Sequence, residues 1–237
     1  MIKHLKNIPC LITLLAVLLL QSCSTFRSST DLSVSTDRSA IAFLQNRSGS
    51  INGLKAELNL NPSDITIPSI DAYLSYEKKG VFRLIGLSSA GFTLFDIKVQ
   101  DGVVTGLVDN FPVNETFALN NLMEVIDFYG SDSSGEFSWF VEEYRNYYVV
   151  NQLRSYGGVS YPLRRWWIDK SEMLIVKKEL YSDTPDKHGV RLFEALYRDF
   201  RPVNDIMTPF EIIIRTDRGK KAGKVRFKKI EYYEDKK

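Results

Sequence analysis

The chain is 237 residues long, 44% hydrophobic and 25% charged, with a formal net charge of +2. The apolar share, with 12% aromatics, excludes a disordered chain, and so small a charge gives no case for nucleic-acid binding, which needs a clustered basic face. Two cysteines are too few for a disulfide scaffold, and two histidines leave little for His-based catalysis or a His-rich metal site.

Lys3, His4 and Lys6 open the chain, and the uncharged apolar run Ile8 to Leu20 follows. That run is shorter than the roughly 20 residues that span a bilayer, and basic, apolar, then small is the pattern of a secretory signal. Leu20-Gln21-Ser22-Cys23 resembles the bacterial lipobox, although Gln21 is not among its commonest residues. The resemblance implies cleavage before Cys23, a diacylglycerol on its thiol and an acyl group on the new amine. Two or three acyl chains hold a protein durably on a membrane. Ser24 stands where inner-membrane retention uses Asp, so the resemblance implies the outer membrane, with the chain facing the periplasm. Residues 1–22 are then the signal and 23–38 a Ser/Thr-rich tether behind the lipidated Cys23. Lys3 and Lys6 leave with the signal, so the mature chain is neutral, with 29 basic and 29 acidic side chains and no free thiol.

From residue 39 onward one domain is expected. Ser39 to Gln45 predicts a short helix with Ser39 as N-cap. Period-two alternation then predicts strands at Leu54–Leu60, Ile70–Glu77, Val81–Leu87, Phe92–Val99 and, after the Gln100-Asp101-Gly102 turn, Val103–Val108. Thr116 to Tyr129 carries apolar residues near a 3.6 spacing and predicts an amphipathic helix. Ser138 to Arg145, with Trp139, Phe140, Val141 and Tyr144, predicts a further short helix. Strand patterns resume at Tyr147–Leu153, Leu163–Ile168, Met173–Tyr181, Arg191–Phe200, Phe210–Thr216 and Lys224–Tyr232, with tight connections at Asp169–Ser171 and Asp217–Lys220. Strands do not alternate with helices, so an antiparallel meander is expected. The fold class is mainly β (α+β): a curved open antiparallel sheet, a half-barrel of about eleven strands, with helices covering its concave face.

The order of these elements resembles the LolA/LolB-like lipoprotein-carrier family over residues 39–237. The resemblance is carried by Phe82-Arg83-Leu84-Ile85-Gly86-Leu87-Ser88-Ser89-Ala90-Gly91-Phe92-Thr93-Leu94, by Trp166-Trp167-Ile168-Asp169 with Leu174-Ile175-Val176-Lys177, and by Tyr197–Phe200, Pro209–Ile212 and Val225–Ile230. It implies a hydrophobic cavity for acyl chains of lipoproteins or lipids, a lipid or acylated protein as ligand, and a role in trafficking to the outer membrane. It implies neither a cofactor nor an enzyme activity. One position departs: the exposed Leu of the outer-membrane receptor's loop falls on Ala90, which offers far less apolar area. An alternative is a structural or regulatory lipoprotein that meets an envelope protein partner through the same fold.

Candidate cavity residues are Leu84, Phe92, Leu94, Phe117, Leu122, Ile126, Trp139, Phe140, Tyr148 and Trp166. The large aromatics among them serve equally as cavity wall or as core. Neighbouring strand residues face opposite sides, so Trp166 and Trp167 cannot both line one cavity. Residues 215–237 hold ten Lys or Arg against four Asp or Glu. Lys220, Lys221, Lys228 and Lys229, with Ala90, are the candidates for contact with a membrane or an acidic partner, or alternatively solvated edge lysines. No motif supports catalysis. Ser75-Tyr-Glu-Lys78 lies in a strand pattern and not on a helix, and His188 sits in the surface loop of Pro185 and Gly189.

Overall fold

A computed structural model describes residues 33–34, 38–63, 69–77, 81–100, 103–107, 122–127, 137–184, 187–216, 219 and 221–233. The signal segment, Cys23, Phe117, Lys220, the Lys221 side chain and both ends of the Thr116–Tyr129 helix lie outside them.

In chain order the elements are β1 (Ser33–Val34), α1 (Ser39–Ser50), β2 (Gly53–Pro62), β3 (Ile70–Glu77), β4 (Val81–Leu87), β5 (Thr93–Gln100), β6 (Val103–Leu107), the helical turn α2 (residues 122–126), β7 (Phe137–Glu143), β8 (Tyr147–Tyr156), β9 (Val159–Asp169), β10 (Leu174–Tyr181), β11 (Arg191–Val203), β12 (Ile206–Thr216) and β13 (Lys221–Tyr233). All strands join one antiparallel sheet in the order β1-β7-β8-β9-β10-β11-β12-β13-β2-β3-β4-β5-β6. Two meanders, β2–β6 and β7–β13, are sewn together where the last strand pairs with the first long one, Tyr233 opposite Gly53 and Gly223 opposite Pro62. The outer edges β1 and β6 do not pair with each other, so the sheet stays open.

Alternation decides which face is dry. Leu54, Ala56 and Leu58 are buried between exposed Lys55 and Glu57, and Ile70, Ala72 and Leu74 are buried between exposed Asp71 and Tyr73. One apolar cluster takes side chains from β2 to β5 and from β7 to β13, together with Ala40 and Leu44 of α1 and Val125 and Ile126 of α2. A flat sheet of this width could not bring its edges to one core, so the sheet curls around it with both helices on the concave side.

Turn chemistry fixes the hairpins. Gly157 and Gly158 take φ of 59° and 81° between β8 and β9, and Asn204 and Asp205 take 48° and 61° between β11 and β12. Two positive φ values in a two-residue loop match the right-handed twist of the flanking strands. Asp169 Oδ1 accepts from the Ser171 and Glu172 backbone N–H groups at 2.9 and 3.2 Å, closing the β9–β10 connection.

Two expectations are corrected. Residues 138–145 are not a helix: β7 pairs with β8 from Phe137–Arg154 to Glu143–Tyr148. The apolar residues there follow no strict alternation because β7 is covered on both faces, and the pairing with β8 decides the conformation. Ser39 is the first helical residue of α1, whose N-cap is Arg38 with no capping side-chain bond. Among the described residues the sheet of about eleven strands that was expected has thirteen, with β7 and with β1, whose Ser33 and Val34 pair with Glu143 and Glu142.

Candidate functional site

The concave face carries an unexpected polar group under α2. Lys178 of β10 is fully buried. Its Nζ donates to the Glu124 carbonyl at 2.7 Å, to the Asp127 carbonyl at 3.0 Å and to Glu124 Oε2 at 3.0 Å. Tyr197 of β11 donates its hydroxyl to the Val125 carbonyl at 3.1 Å. The last carbonyls of a helix have no partner within it, and a cation there also meets the negative end of the helix dipole. Two sheet side chains thus do for α2 what a longer helix or water would do.

Position 178 faces inward because of a bulge. The β9–β10 register shifts between Ile175 and Lys177, so Ile175 faces Ile168, Lys177 faces Trp167 and Lys178 faces Trp166. With strict alternation from Ile175, Lys177 would point into the core and Lys178 away from it.

Arg164 of β9 completes the group. Its Nε donates to Glu124 Oε2 at 3.0 Å, its Nη2 bonds Glu124 Oε1, and its Nη1 donates to Gln152 Oε1 at 2.9 Å. Burial alone would raise the Glu124 carboxyl, but Lys178 and Arg164 outweigh it and hold the group well below the usual carboxylate range. Asp127 moves the other way: burial, with the neighbouring Glu124 charge, pushes its carboxyl up despite Lys178. A cavity of about 220 Å³ beside the turn is lined by Tyr76, Met123, Glu124 and Asp127.

Beside this group the candidate aromatics fall on both faces of the sheet. Trp166 is fully buried and stacks on Trp139 at 5.7 Å, while Tyr148 packs on the same core under the Lys170 ammonium at 4.8 Å. Leu84 and Ile126 are buried and Leu122 partly so. Trp167 faces outward, stacked on Tyr144 at 5.4 Å beneath Lys177. Phe140 alternates with Trp139 and Val141, so it lies on the outer face and does not join the cavity wall. Phe92 is 73% exposed in the loop before β5, outside any strand, and Leu94 is 39% exposed, so neither sits in the concave wall. Ala90 is exposed in the same loop. Lys228 pairs with Asp71 at 2.8 Å and Lys229 with Glu231. His188 lies between the rings of Tyr156 and Tyr161, at 4.9 and 5.0 Å.

The outer face holds a second polar group, spread across β7 to β12. Glu179 meets Lys177 at 3.1 Å, Arg191 at 3.2 Å and Arg165 at 3.8 Å, and Asn151 bridges Arg165 and Glu142 at 2.6 and 2.9 Å. Burial and the adjacent Glu179 charge push the Tyr181 hydroxyl up to about 12. A groove of about 360 Å³ beside this network is lined by Tyr147, Trp167, Val176, Lys177, Leu196 and Arg198 among others.

Lys178, Glu124, Arg164, Gln152 and Asp127 were not among the sequence candidates. One signal was readable: two adjacent lysines within the apolar strand Leu174–Tyr181 force one of them inward. Which one depends on the bulge.

An open antiparallel sheet wrapped around a helix-covered concave face is the architecture of a known set of solved structures. The chain aligns with a LolA superfamily protein from Nitrosomonas europaea at a TM-score of 0.53 and 11% identity, over 82% of this chain and 94% of that one. The fold is LolA-like. A putative outer membrane lipoprotein-sorting protein domain from Vibrio parahaemolyticus aligns at a TM-score of 0.48 and 9% identity, over 84% of this chain and 93% of that one. A DUF1329 family protein from Desulfovibrio piger aligns at 0.49 and 11%, over 82% and 92%. No protein-family model and no curated protein sequence matches the chain. The LolA-like sheet places its concave face, and with it the Lys178–Glu124–Arg164 group, under α2.

Proposed function

We propose that the chain is a lipid-anchored, periplasm-facing protein of the outer membrane that holds acyl chains of lipoproteins or lipids between the concave face of its sheet and α2, and so acts in their trafficking. The observation that carries this reading is α2 itself. Val125 and Ile126 are fully sealed on the concave core, yet the turn is held there by the side chains of Lys178 and Tyr197, which can let go without opening the sheet.

Exchange of cargo needs no covalent step. Lifting α2 opens the part of the concave core that Val125 and Ile126 seal, and an acyl chain takes their place. Ten buried methylenes contribute about 8 kcal/mol, whereas two displaced aliphatic side chains cost about 3–6 kcal/mol, so a long acyl chain wins and a short one does not. Cys23 supplies the anchor, and the exposed apolar residue of the β4–β5 loop that faces a bilayer is Phe92, not Ala90.

Native mass spectrometry of the purified protein, followed by titration with a fluorescent long-chain acyl probe, tests the reading. Co-purified lipid or saturable uptake is expected. A protein that is always empty and takes up no probe would refute it. That outcome would favour a structural or regulatory role through the outer-face groove beside Trp167 and Lys177. Replacing Cys23 by Ala is expected to abolish incorporation of labelled palmitate, and undiminished labelling would sink the anchor.

A further inference from the structure

We propose that Gln152 and Trp166 form a subsite for the ester carbonyl oxygens at the head of a bound acyl lipid. The proposal rests on the acyl-binding reading above and adds the chemical group that is recognised. Both side chains are fully buried on the concave face, and among the described residues both leave an N–H without a hydrogen-bond partner: Gln152 Nε2 and Trp166 Nε1. Buried donors are paired in the great majority of cases, so two orphans on adjacent strands call for an acceptor. The β8–β9 register sets Gln152 opposite Arg164 and Val150 opposite Trp166, which makes the two donors diagonal neighbours within reach of one head group.

The orientation of the amide is not arbitrary. Arg164 Nη1 donates to Gln152 Oε1 at 2.9 Å, and turning the amide over would set two donors against each other. The free end of Gln152 is therefore the NH₂. Both nearby cations are already engaged, since Arg164 and Lys178 each hold Glu124. What remains is a pair of neutral donors next to the Trp139–Trp166 stack. Neutral donors in apolar surroundings suit a neutral acceptor such as an ester carbonyl. A carboxylate would have to displace Glu124 from Arg164 and Lys178 to gain more.

Equilibrium binding to the full-length protein tests this with a fluorescent diacylglycerol ester, its dialkyl ether analogue without carbonyls, and palmitate against methyl palmitate. The wild type is expected to bind the ester about 10-fold tighter than the ether, the effect of one to two net hydrogen bonds. Trp166→Phe and Gln152→Leu should each lose most of that preference, read as the ratio of ester to ether affinity within the same variant. Equal affinity of the wild type for ester and ether, or a preference intact in both variants, overturns the subsite and leaves acyl binding standing. Binding of neither lipid sinks the acyl-binding reading itself. Palmitate bound tighter than its methyl ester overturns the assignment in favour of a carboxylate. Circular dichroism confirms folding of each variant; should Gln152→Leu fail to fold, Trp166→Phe, which retains a buried aromatic ring, decides.

Discussion

Replacing Lys178 by Met removes the charge and the three hydrogen bonds while keeping most of the apolar stem. The Glu124 carbonyl in α2 and the Asp127 carbonyl just after it lose their partner, and Glu124 keeps only Arg164. Breaking a buried ion pair from one side typically costs about 3–5 kcal/mol. The remaining Arg164 contact, and the freedom of α2 to lift away, place the loss at the lower end, about 3 kcal/mol. For a domain of this size each kcal/mol shifts Tm by about 2–4 °C, so thermal denaturation should show a fall of about 6–12 °C. Hydrogen exchange read by mass spectrometry should show residues 122–127 losing protection well before the strands do. Adding Glu124→Gln to Lys178→Met should deepen the loss, because Arg164 then loses the carboxylate it holds. A Lys178→Met protein within 1 kcal/mol of wild type, with unchanged protection of residues 122–127, would refute the reasoning.

The pH dependence follows from the same group. Glu124 is held below its ordinary 4.5, so its contribution is complete above that pH and is lost as pH falls toward its lowered folded value. Asp127 is raised, so it opposes folding above its folded pKa and that cost fades as pH falls. Melting curves between pH 7 and 3 should therefore show an acid loss that Glu124→Gln flattens and Asp127→Asn steepens. Gly86→Ala should cost about 1–3 kcal/mol in chemical denaturation, because the new Cβ would lie 2.3 Å from the ring of Phe95, itself buried and unable to swing aside. Phe92→Ser should leave stability within about 0.5 kcal/mol, given its exposure, and weaken co-sedimentation of the protein with lipid vesicles.

Strands with one wet face were readable in the sequence. Ile70–Glu77 and Val81–Leu87 match the expected bounds because Ile70, Ala72 and Leu74, then Phe82 and Leu84, alternate with exposed neighbours. β7 was misread because Val141 is buried inside while Glu142 is tied to Asn151 outside, so no period marks either face. The inward lysine was hidden for a different reason. A one-residue bulge at Val176 decides between Lys177 and Lys178, and nothing local to the strand announces it. The exposed position of Phe92 was masked by the apolar run Phe92-Thr93-Leu94, which reads as strand until the Ser88 hydroxyl accepts the Phe92 N–H and holds it in the loop.

The seam between β13 and β2 has a consequence for biogenesis. Gly53 must wait for Tyr233, so one edge of the first long strand stays bare until residues 221–233 have been made. Pairings so distant in sequence form slowly, because loop closure comes before the contacts that reward it. A sheet that cannot be completed before β13 appears leaves β2 with a bare edge, open to pairing with another chain, until those residues arrive.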